Sequence, residues 1–144
     1  GFPGESEDDF NETLSLTQEV RFHSMFSFKY SPRPNTLAAQ RMADDVPEAE
    51  KTRRIMALQA LQKGIQAELH AASVGTTVDV LVDTTSRRRA WELAGRTSGN
   101  TVVNFPGDAA WLGTVVPVTI ERAGAFGVWG RPSTGARSTE AATC

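Results

Sequence analysis

The sequence predicts an α/β portion followed by a small all-β barrel, and three observations carry that reading. A turn, a helix pattern and a strand pattern follow one another within the first thirty residues, the unit of an α/β fold with parallel strands. The stretch Pro47–Ala72 then reads as one long helix. Beyond it every apolar pattern has period two. Five short strands, separated by glycine-rich or polar turns in ~60 residues, describe a small barrel or open sandwich of the oligonucleotide-binding type. The predicted organisation is residues 1–73, 74–132, and a disordered tail 133–144 with no apolar side chain larger than alanine except Cys144.

GFPGE opens the chain as a tight turn, its two glycines letting the backbone come close to something. Ser6 with Asp9 three residues on predicts a helix N-cap, and Phe10, Leu14 and Thr17 share one face of the helix that follows. From Ser24 to Tyr30 the period changes to two. Phe26, Phe28 and Tyr30 alternate with Ser27 and Lys29, which predicts a strand with one buried face. YSPRPNT comes next: Pro34 keeps Arg33 extended, and Asn35 tolerates the positive φ that turns the chain. Arg33 is either a solvated loop arginine or a ligand contact. Ligands collect at the carboxyl ends of strands in α/β folds, where both GFPGE and YSPRPNT would sit.

In the long helix Pro47 suits the first position, Glu48 and Glu50 suit the positive end of the dipole, and Leu58, Leu61, Ile65 and Leu69 share one face. If continuous it is ~39 Å long. The barrel strands are expected in TTVDVLVD, LAGRTS, TVVNF, GTVVPVTIERA and AFGVWG, with Val78, Val80 and Val82, then Val116, Val118 and Ile120, on common faces.

Composition narrows the classes of function. The hydrophobic content of 40% allows a packed core, and no segment is long or apolar enough to span a bilayer. The acidic opening is unlike a basic secretory leader, and a first residue other than methionine fits a processed product or internal fragment. A single cysteine, Cys144, excludes an intrachain disulfide and a cysteine-ligated zinc or iron–sulfur site within this chain. His23 and His70 have nothing pairing them and read as ordinary surface or boundary residues. No internal repeat and no phosphate-binding glycine loop is present. Residues 1–20 carry six acidic side chains and no Lys or Arg, whereas 74–132 carry six Arg against five Asp or Glu. A polyanion partner should therefore meet the second half.

Taken together, GFPGESEDDF, FSFKYSPRPNT with Ala38-Ala39, VPEAEKTRRIMALQALQ, GRTSGNTVVNFPG and GTVVPVTI resemble, in this order, the C-terminal part of the MiaB family of tRNA methylthiotransferases. The resemblance covers roughly nine-tenths of the chain. Ser6 stands where threonine is common and Asn35 where glycine is common; each keeps the physical role of its position.

The resemblance implies the end of a radical S-adenosylmethionine (SAM) α/β barrel followed by a TRAM domain. It implies a cytoplasmic, monomeric enzyme that adds a methylthio group to an isopentenylated adenosine beside the tRNA anticodon. It implies S-adenosylmethionine and two [4Fe-4S] clusters as cofactors, yet none of the six cluster cysteines is here, so the chain alone should be inert. By position Gly1, Phe2, Pro3, Tyr30 and Arg33 would line the S-adenosylmethionine cavity, and Glu5 reads equally as a structural acceptor around the turn. Arg87, Arg88, Arg89, Arg96, Thr97, Asn100, Asn104 and Arg131 would meet the tRNA anticodon stem-loop. The triple arginine reads equally as a solvated loop. Phe105, Trp111 and Trp129 suit base stacking, but a small barrel needs aromatics inside, and core is the expected role of at least two. The competing readings are a free-standing RNA-binding module and a methylthiotransferase acting on a ribosomal protein.

Overall fold

The computed structural model describes residues 1–85, 89 and 91–133. Arg87, Arg88 and the tail from residue 134 to Cys144, expected above as RNA contacts and as disordered chain, lie outside the described residues. The chain divides into two compact units, Gly1–Gln66 and Ala67–Cys144, with the boundary inside the long helix.

In the first unit, helix α1 (Glu7–Val20) starts where Ser6 and Asp9 predicted. The Asp9 N–H donates to Ser6 Oγ at 3.1 Å and the Ser6 N–H donates to the Asp9 carboxylate at 2.8 Å, a reciprocal capping box. The Ser6 hydroxyl, which donates to the same carboxylate at 2.7 Å, together with the Ser6 N–H holds the Asp9 carboxyl below its ordinary value. Phe10 and Thr17 are buried and Leu14 half-buried on the predicted face, and Arg21 ends the helix in the left-handed region. Asn35 turns the chain at φ 67°, as its position required. The Thr36 side chain then caps a short helix, α2 (Leu37–Arg41).

Helix α3 (Glu48–Ala72) is continuous. Its buried stripe differs from the predicted one. Ile65 is buried, Leu58, Leu61 and Leu69 only half so, and the stripe continues toward the N-terminus as two cations, Lys51 (4% exposed) and Arg54 (6%). Buried charges persist only when paired and hydrogen-bonded, and these are. Lys51 pairs with Asp44; Arg54 donates to the Glu5 carbonyl at 3.0 Å and to Glu50 at 3.0 Å, and pairs with the Glu5 carboxylate at 3.3 Å. The sequence pattern weighs side-chain type, not partners, so it missed them.

The strand expected over Ser24–Tyr30 does not form. The alternation is there, since Met25 and Ser27 are half-buried between exposed neighbours. Its apolar face is uncovered, however, with Phe26 90% and Phe28 85% exposed. A strand exists only by pairing its backbone groups with a neighbour, and among the described residues nothing pairs with this segment. The parallel-sheet unit predicted for the first thirty residues is therefore replaced by helices and one extended segment.

The second unit contains all five predicted strands: β1 (Thr77–Thr85), β2 (Glu92–Arg96), β3 (Val102–Pro106), β4 (Val115–Ala123) and β5 (Val128–Pro132). They close in the order β1-β2-β3-β5-β4, with β1 pairing β4 and only β3–β5 parallel. Closure leaves no sheet edge exposed. Period two delivers Val80, Val82, Leu93, Val103, Phe105, Val116, Val118, Ile120 and Val128 to the interior. Burying such a side chain contributes roughly 1.5–3 kcal/mol, so the core carries the fold. A 3₁₀ turn (Ala109–Trp111) between β3 and β4 lays Trp111 against this core. Phe105 and Trp111 thus take the core role expected of two of the three aromatics. His70 is buried at the foot of the barrel, its Nδ1 2.8 Å from the Gly124 carbonyl in the β4–β5 turn. Among the described residues no helix is long and apolar enough to cross a membrane.

Candidate nucleic-acid interface

The side chains that alternate with the barrel core point outward, and β2, β3, β5 and β4 together form one outer face. The register sets its central row: Ala94 lies opposite Asn104, Asn104 opposite Trp129, and Trp129 opposite Arg122. Trp129 is half-buried, and its indole N–H donates to Glu92 Oε1 on β2 at 3.0 Å, so the ring reaches across β3. The Arg122 guanidinium carbon sits 4.5 Å from the ring centroid.

Toward one end of this face Arg96 donates to Asn100 Oδ1 at 2.8 Å and lies 3.4 Å from Asp83. Asn100 holds φ 62° in the β2–β3 turn, where the Thr97 side chain accepts the Thr101 N–H at 3.2 Å. Arg131 pairs with Glu121 at 3.4 Å. Arg89 lies beside the exposed Trp91, 5.4 Å from its ring centroid. Arg96, Asn104 and Arg131 therefore share the outer face, Thr97 and Asn100 form the turn at its end, and Arg89 precedes β2.

Sequence reasoning missed Arg122 and Glu92. Alternation from Val116, Val118 and Ile120 points residue 122 inward; an irregularity in register between Ile120 and Arg122 turns it out to meet Trp129. No residue type in the sequence marks that bulge. Trp129 itself was in view, but its outward setting depends on register.

In the first unit, Phe2, Tyr30 and Arg33 line one open recess of about 290 Å³, together with Lys29, Ser31, Thr36 and Ala38. The Phe2 and Tyr30 rings meet edge to face at 5.1 Å, and the Lys51 ammonium lies 5.3 Å from the Tyr30 centroid. Gly1 and Pro3 do not join this recess. Pro3 is buried, and a Cβ on Gly1 would fall 2.4 Å from Lys51 Cγ, so the close approach that Gly1 permits is to Lys51. Glu5 sits at the turn, accepting the Phe2 N–H at 3.1 Å. Close by, the hydrogen bond from Arg53 holds the Glu50 carboxyl down to about 2. An aromatic pair beside Arg33 suits one side of a nucleoside bearing a carboxylate. Iron–sulfur ligands are a different matter. The chain has one cysteine, and among the described residues no group of three or more His, Cys, Asp or Glu is placed to hold a metal.

Residues 71–128 match the TRAM domain model, which spans β1 to the start of β5. The chain is 48% identical over 132 residues, 91% of its length, to tRNA-2-methylthio-N(6)-dimethylallyladenosine synthase of Halorhodospira halophila. It is 50% identical over 83% of its length to the synthase of Chlorobium limicola, and 49% over 85% to that of Myxococcus xanthus. The chain spans little more than a quarter of each relative, 28%, 27% and 27% respectively. Matches of this extent take in both units, not the barrel alone. The chain carries a TRAM domain and, over most of its length, is similar to the C-terminal end of tRNA methylthiotransferases of the MiaB family.

Proposed function

We propose that this chain acts as the tRNA-holding C-terminal part of a tRNA-2-methylthio-N(6)-dimethylallyladenosine synthase, a radical S-adenosylmethionine enzyme working as a cytoplasmic monomer. The observation that carries this reading is the match to such synthases across 91% of the chain, through both units. In that reading the barrel's outer face holds the anticodon stem-loop. Arg89, Arg96 and Arg131 meet phosphates, Thr97, Asn100 and Asn104 bond sugars or base edges, and Arg87 and Arg88 add charge. Phe2, Tyr30 and Arg33 form one wall of the S-adenosylmethionine cavity, the rings beside adenine and the guanidinium on the carboxylate. Gly1 and Pro3 shape the turn that carries Phe2.

When bound, the [4Fe-4S] clusters would supply the electron and the sulfur chemistry; their cysteine ligands are not residues of this chain. What this chain contributes is binding and orientation, and alone it is inert. Replacing the matching segment of the Halorhodospira synthase by this chain tests the proposal. The chimera should methylthiolate tRNA. A chimera that folds, loads its clusters and leaves tRNA unmodified would reject it.

A further inference from the structure

We propose that the Arg122–Trp129 pair is a stacking plane for one unpaired nucleobase of the bound RNA, with Asn104 beside it to read the base edge. The inference rests on the RNA-binding reading above and adds what kind of RNA the barrel takes: a loop base, not a duplex.

Three observations carry it. The Glu92 carboxylate holds the indole N–H at 3.0 Å, which fixes the ring across the outer face of β3 without using either ring face. The Arg122 guanidinium lies over that ring while remaining exposed to solvent, so the ring orients a planar cation whose other face is open. And Arg96 and Arg131 lie in exposed ion pairs with Asp83 and Glu121, which phosphates can replace, whereas Arg122 is in no ion pair among the described residues. A free, flat, pre-ordered guanidinium suits a base, which offers a π-face and, through its own phosphate, a negative charge. Asn104, adjacent to Trp129 in register, carries both a donor and an acceptor for the base edge. A duplex hides its base faces and cannot use such a plane.

The test uses the 144-residue chain, a tRNA anticodon stem-loop, and a blunt duplex of the same stem without the loop. Arg122→Lys keeps the charge and removes the plane. It should weaken stem-loop binding about tenfold and leave duplex binding unchanged. Trp129→Phe, which keeps a ring and loses the Glu92 bond, should lose less. In wild type, the loop RNA should shift the Trp129 indole N–H resonance and the duplex should not. If Arg122→Lys binds the stem-loop as wild type does, Arg122 is only a cation covering Trp129: the stacking inference falls and the RNA reading stands. If wild type binds neither RNA, both fall.

Discussion

Gly130→Ala is expected to destabilise the barrel by about 3 kcal/mol or more. A Cβ at residue 130 would lie 2.3 Å from the Thr119 carbonyl oxygen and 2.8 Å from Val118 Cγ1. The first contact is with backbone on the paired strand β4, which cannot swing aside as a side-chain tip would. Gly130 lies opposite Ile120, at the edge of the register irregularity that turns Arg122 outward, so relief by moving β4 would disturb both core and outer face. Overpacking of a well-filled core costs ~1–3 kcal/mol, and a clash with fixed backbone should reach the upper end or exceed it. That is a large part of the stability of a domain this small. Urea unfolding followed by the barrel tryptophans measures it. Gly64→Ala, where a Cβ meets nothing within 4 Å in mid-helix, is the control and should be neutral or slightly stabilising. Equal stability of the two variants would mean that β4 and β5 are not packed as described.

Arg54→Ala should be the most damaging single change in the first unit. Arg54 joins α3 to the turn and to α1: it bonds the Glu5 carbonyl, pairs with Glu5 and Glu50, and its guanidinium carbon lies 5.7 Å from the Phe10 ring centroid. Removing it leaves the Glu5 carboxylate, itself largely shielded, with only the Gly1 ammonium as a cation, and opens space beside Phe10. Breaking a buried pair on one side costs ~3–5 kcal/mol, because the partner charge stays behind. Hydrogen exchange read separately on α1 and on the barrel tests it. Protection should collapse in α1, with barrel amides unchanged. Unchanged α1 protection would reduce Arg54 to a surface arginine.

The two halves differ in how far they were legible from sequence. Barrel strands bury one face against their own barrel, so Val80 and Val82, or Val116 and Val118, announce both the strand and its inner side. The turn residues also spoke for themselves: Ser6 caps, and Asn35 adopts positive φ. Phe26 and Phe28 alternated just as clearly, yet pairing needs a second strand, and residue types say nothing about whether one is present. The buried cations Lys51 and Arg54 carry no apolar signal, and their partners come from outside the helix, Asp44 and Glu5. For the candidate interface, Arg96, Asn104 and Arg131 were named by residue type and resemblance, and strand register sets them on the outer face, while Arg122 depended on a bulge that no residue type betrays.

In the proposed function the barrel's outer face holds the anticodon stem-loop. The most direct measurement is the affinity of the chain for that stem-loop and for an unrelated hairpin of equal length, across a salt series. The predicted result is tighter binding to the anticodon stem-loop at every salt concentration, weakening as salt rises with a log–log slope of about −2 to −3, as three phosphate-neutralising arginines would give. Equal affinity for the two hairpins, or binding indifferent to salt, would contradict it.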